Sequence, residues 1–187
     1  MQSNFAIVIA GSLSLALPFP SAAAPGRLAG FGDIPFGTSF AQAKLAPGID
    51  IREDACTPAE CRLVYRTAVR ELDVTVWQDF AGGVADLAEV LVRGDGQGGR
   101  FVNSSRCDAT FNRVYLLVTE VYGPADIPIV LRHEPTPEGY QVEVREVTWT
   151  FNDGARIRHK RDVTSDGTCA VRLFYRPGLI RASGTMF

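Results

Sequence analysis

From Glu146 to Val163 the chain reads EVTWTFNDGARIRHKRDV, and no other stretch restricts the fold so tightly. Apolar and polar residues alternate on both sides of Asn152-Asp153-Gly154, the pattern of two strands joined by a short loop. A three-residue loop with Gly154 in the left-handed conformation sets Phe151 opposite Ala155, Trp149 opposite Ile157 and Val147 opposite His159. A two-residue Asp-Gly turn would instead set Trp149 against Arg158 and split the apolar set between two faces, so the longer loop is expected. The polar face then carries Thr148, Thr150, Arg156, Arg158 and Lys160, whereas Arg161 falls on the apolar face with His159.

The densest run of positive charge in the chain thus becomes three cations at alternate positions on a sheet face. No aromatic residues alternate with them, and the formal net charge is -2, which argues against nucleic acid as the partner. Acids such as Glu143 and Glu146 are the expected counter-charges, and Arg156, Arg158 and Lys160 are the candidate contact for an acidic protein surface. His159 reads as a hydrogen-bonded core residue, and no metal or other cofactor is expected because neither histidine has a second ligand nearby.

Residues 1–23 read as a secretory signal. Phe5 to Leu17 is uncharged but short for a membrane span, and Pro18, Pro20 and the small residues Ser21 to Ala24 follow it. Small residues are favoured before the cut, and a proline directly after it is not, so cleavage is expected between Ala23 and Ala24. The leading MQSN lacks the usual Lys or Arg. The processed chain, 24–187, has the length of one domain and is expected to be periplasmic or secreted, with no transmembrane segment. A chain of that length buries roughly 70% of the surface exposed when unfolded.

All four cysteines lie beyond the cleavage site, which suits an oxidising compartment. Cys56 and Cys61 flank a turn at Pro58 and are expected to pair locally, leaving Cys107 with Cys169. The two other pairings would require the short loop to reach two distant elements at once. Zinc is the rival reading of the Cys56/Cys61 spacing, but no second cysteine or histidine pair completes a site.

Ser39 or Thr38 caps a short helix expected over Phe40 to Ala46. CRLVYRTAV, LDVTVWQDF and VADLAEVLV read as strands, with Gly82-Gly83 between the last two. Phe111, Val114, Tyr115, Val118 and Tyr122 recur at helical spacing, Cys107 lies one turn earlier, and Gly123-Pro124 ends that helix. A proline-rich segment with a short edge strand at Ile129 to Leu131 follows, then three strands, YQVEVREVTWTF, ARIRHKRDV and TCAVRLFYR. The expected fold class is therefore α+β: two helix-plus-three-strand halves, 31–99 and 100–178, forming one disulfide-stabilised antiparallel sheet with the helices on one face. A gapless echo of residues 74–84 in 145–155 hints at duplication, but its tryptophans fall one position out of register.

Motifs for nucleophilic catalysis, phosphate cradles and metalloprotease chemistry are absent. Paired carboxylates remain the enzymatic alternative, either Glu53 with Asp54 or a group at Asp79, Asp86 and Glu89. GDIPFGTSF, a helix ending VYGPADIP, W-x-F-x-D-G at Trp149 to Gly154 and C-x-V-x-L-x-Y at Cys169 to Tyr175 resemble a pattern of small exported bacterial proteins of unknown function. In layout the chain more distantly resembles beta-lactamase-inhibitor-like proteins and outer-membrane assembly lipoproteins, although it has no lipobox cysteine. That resemblance implies a protein-binding module of the cell envelope; the missing catalytic motifs make it non-enzymatic, and an envelope hydrolase using the carboxylates at Asp79, Asp86 and Glu89 is the alternative.

Overall fold

The computed structural model describes residues 28–135 and 141–178. The expected signal at 1–23 and the end of the proline-rich segment lie outside the described residues. Two short strands, β1 (Gly30–Phe31) and β2 (Ile34–Pro35), pair with each other ahead of α1 (Phe40–Ala43). Ser39 caps α1 as anticipated, with Gln42 completing a capping box, but the helix is only four residues long. Strands β3 (Asp50–Cys56), β4 (Glu60–Val69), β5 (Leu72–Ala81) and β6 (Val84–Val92) follow as a meander. Helix α2 (Ser104–Tyr122) then starts at Asn103, whose Oδ1 accepts from the Ser105 and Arg106 backbone N–H groups, and ends at Gly123, where φ is +83°. A second meander of β7 (Ile127–Pro135), β8 (Gln141–Thr150), β9 (Arg156–Val163) and β10 (Cys169–Arg176) completes the chain.

The two meanders join along β6 and β10 into one antiparallel eight-stranded sheet, ordered β3-β4-β5-β6-β10-β9-β8-β7. This corrects the expected α+β layout of two helix-plus-three-strand halves. The described residues are 53% strand and 18% helix, each meander has four strands, and there is one long helix, packed on the second meander. The extra strand of the first meander is β3, DIREDAC. All seven of its residues are exposed, so it has no apolar face to reveal it in sequence, and it is held by backbone pairing with β4. The echo of 74–84 in 145–155 joins the β5–β6 and β8–β9 hairpins, which occupy different places in the sheet. Only β5–β6 reaches the central seam.

The register at the second hairpin is the expected one. Gly154 takes φ +83°, the Phe151 N–H donates to Ala155 O at 2.9 Å, and Trp149 and Val147 stand opposite Ile157 and His159. Helix α2 crosses β9 and β10 on this apolar face. Phe111 stacks on His159 with centroids 4.2 Å apart, and Trp149 Nε1 donates to Gly123 O at 3.0 Å. Cys107 joins Cys169, and Cys56 joins Cys61 across the β3–β4 turn, both as anticipated. Strands β1 and β2 and helix α1 pack on the same face, through Phe31 on Tyr175 and Phe40 on Phe80. The opposite face carries no helix or strand among the described residues.

Candidate functional site

The open face is built from alternate residues of the eight strands. One row crosses it as Val64, Trp77, Glu89, Phe174, Arg158 and Thr148, each paired with the next across a strand boundary. The adjacent row runs Thr75, Leu91, Arg172, Lys160 and Glu146. On the other side of the first row, Arg156 of β9 stands directly opposite Arg176 of β10. The three expected cations therefore share this face, and Arg161 does not: it is 5% exposed and lies under α2.

Their surroundings differ sharply. Arg158 grips Glu146 with Nε and Nη2 at 3.0 and 2.8 Å and lies over the Phe174 ring, 5.9 Å from its centroid. Arg132 of β7 donates to the same carboxylate at 2.9 Å. Burial pushes the Glu146 carboxyl up, but the two guanidiniums outweigh it and hold the group below the usual carboxylate range. Lys160 is half-buried between Glu134 at 3.6 Å and Asp162 at 3.7 Å. Glu143, expected beside the stripe, instead faces α2, where it takes Arg161 Nη1 at 2.7 Å while Asp108 takes Arg161 Nε at 2.8 Å. Arg156 and Arg176 are both exposed, and neither forms an ion pair with a described carboxylate.

Arg176 was not legible as part of the site. The alternation of CAVRLFYR gives its face but not its neighbour, because pairing of β10 with β9 is decided by the fold. The two arginines oppose each other at the β-ladder distance, an arrangement that destabilises a sheet unless something else compensates. Phe174, two residues from Arg176 on β10, shares this face, and Trp77 lies further along the Phe174 row beyond Glu89, so the face carries both cations and aromatic rings, residue types enriched at protein contacts.

The carboxylate candidates are dispersed. Asp79 is held by Arg62 through two contacts at 2.6 and 3.2 Å, and Glu89 lies 3.7 Å from Arg172. Asp86 occupies the bulge where β6 shifts register against β5. Glu53 and Asp54 are consecutive in β3 and so point to opposite faces, Asp54 toward Lys44 at 2.7 Å. Among the described residues no cluster of three or more His, Cys, Asp or Glu side chains is placed to hold a metal ion. Nor is any helix of the described residues long and apolar enough to cross a membrane. Comparison of the chain with protein-family models, curated proteins and solved structures returns no match.

Proposed function

We propose that this chain is an exported, non-enzymatic binding module that docks an acidic protein surface on the open face of its sheet. The observation that carries this reading is the Arg156–Arg176 pair, which no described carboxylate compensates, in the row next to Phe174 and Arg158. A partner carboxylate placed between the two guanidiniums relieves their repulsion and forms charge-assisted hydrogen bonds, so binding and sheet stability are coupled there. Arg158 and Lys160 contribute less, because Glu146, Glu134 and Asp162 already neutralise them. Two disulfides favour an oxidising compartment, periplasmic or extracellular.

The test is crosslinking in envelope fractions from a photoreactive group placed beside Arg156. Wild-type protein is expected to give a discrete, salt-sensitive adduct that Arg156→Glu combined with Arg176→Glu abolishes and that Arg52→Glu, on the distant edge strand, preserves. Undiminished capture by the doubly reversed variant would overturn the assignment.

A further inference from the structure

The helix-covered side of the sheet is not covered evenly. Helix α2 lies over β9 and β10, whereas the first meander is covered by the short β1–β2 pair and the four residues of α1. A cavity of about 210 Å³ remains between α2 and the first meander. Its floor is Val74, Val90 and Val92, its helical wall is Val114, Leu117 and Val121, and Tyr122 and Tyr175 line it as well. Arg70 is the one charged residue of the lining.

The rim at Arg70 is unusual. Arg70 and Glu71 form the two-residue β4–β5 turn with φ of +45° and +66°, a left-handed conformation that disfavours any residue with a Cβ. They are the only non-glycine residues with positive φ among those described. The turn is tied to α2 by three contacts: Arg70 Nη1 to Glu120 at 2.7 Å, and Arg113 Nη2 to Arg70 O and to Glu71, both at 3.1 Å. Strained residues over-determined by their surroundings concentrate at ligand clamps. Here the positive-φ pair stands beside an apolar cavity, and Arg70, whose Nη1 now rests on Glu120, is part of its lining.

We propose that this cavity binds a short anionic amphiphile, a free straight-chain carboxylate of about eight carbons, with its tail among the valines and its carboxylate on Arg70. The length follows from volume: an apolar cavity of ~150 Å³ accommodates benzene, so 210 Å³ holds roughly eight carbons. The head-group position follows from charge. Glu120, the present partner of Arg70, has a 63% exposed side chain, so an incoming carboxylate can replace it without stranding a buried ion. Exposed Val121 and Val69 at the lining continue the apolar surface outward. This site lies on the side of the sheet opposite Arg156 and is independent of the protein-binding face.

Titration calorimetry on the purified protein with both disulfides intact, using octanoate and octanol, tests the proposal. Octanoate is expected to bind with one-to-one stoichiometry, its affinity exceeding that of hexanoate by about fourfold per methylene, with a much smaller gain per methylene on going to dodecanoate. Arg70→Gln, a change at an exposed side chain, should weaken octanoate at least fivefold and leave octanol unchanged. Leu117→Trp, at a half-buried position of the wall, should abolish binding of both. Absence of saturable octanoate binding, equal octanoate affinity in Arg70→Gln, or binding unaffected by Leu117→Trp would each overturn it; filling of the cavity by the chain's own terminal residues would give the first of these results.

Discussion

The imidazole of His159 sits fully buried between two carbonyl oxygens, Phe111 O at 2.9 Å from Nε2 and Arg172 O at 3.2 Å from Nδ1. A neutral ring has one N–H and can donate to only one of them, and protonation would satisfy both. Burial nevertheless outweighs the two carbonyls and lowers its pKa to about 4. In the unfolded chain the ring titrates near ~6.5, so below that pH the unfolded state takes up the proton first. Stability from this group is therefore complete above pH ~6.5, falls as pH drops, and levels off below about 4, a loss of about 3 kcal/mol. Urea midpoints at pH 7.5 and 4.5 should show this loss in the wild type and a smaller one in His159→Gln. Arg176 makes the complementary case at the surface. Replacing it with Glu turns a like-charge pair into an opposite-charge one and should stabilise the sheet by ~0.2–1 kcal/mol in thermal unfolding. The inward His159 and outward Arg156 were legible from alternation alone, whereas the pairing of Arg156 with Arg176 was not.

At the scale of elements, the strands and helix with an apolar periodicity were legible: β4, β5, β6, β8, β9, β10 and α2 all fall where that periodicity puts them. Strand β3 was hidden because every residue in it is exposed, and β7 runs from Ile127 to Pro135, well beyond the expected three residues. Helix α1 stops at Ala43, three residues early, where Pro47-Gly48 and the turn into β3 leave no room for another turn. The two disulfides tie elements of different reach. Cys107–Cys169 spans 62 residues and fastens α2 to the sheet at two fully buried positions, whereas Cys56–Cys61 spans five within one hairpin. Chain entropy assigns ~4 kcal/mol to the long loop and ~2 kcal/mol to the short one. Replacing Cys107 and Cys169 by Ser should therefore lower the denaturation midpoint more than replacing Cys56 and Cys61, and the opposite order would show that α2 is held chiefly by packing.

For the whole molecule, the decisive contact is the β6–β10 seam, where Val90 stands opposite Leu173 and both are buried. It makes one sheet of two meanders, so the chain should unfold as a unit. Trp77 in the first meander and Trp149 in the second serve as separate reporters. Single-tryptophan variants, Trp77→Phe and Trp149→Phe, are expected to give coincident urea transitions by fluorescence and circular dichroism; Leu173→Ala should shift both together by 2–5 kcal/mol. A transition that splits between the reporters would mean that the meanders are separately stable. By itself the sequence determined the apolar faces, the hairpin register at Gly154, the helix over the core and the cysteine pairs, because each rests on local periodicity or on spacing along the chain. Tertiary structure alone decided that β6 meets β10, that one helix covers the second meander and leaves a cavity over the first, and that Arg176 faces Arg156. Those outcomes depend on contacts between segments distant in sequence, and alternation names the face a residue occupies without naming its neighbour.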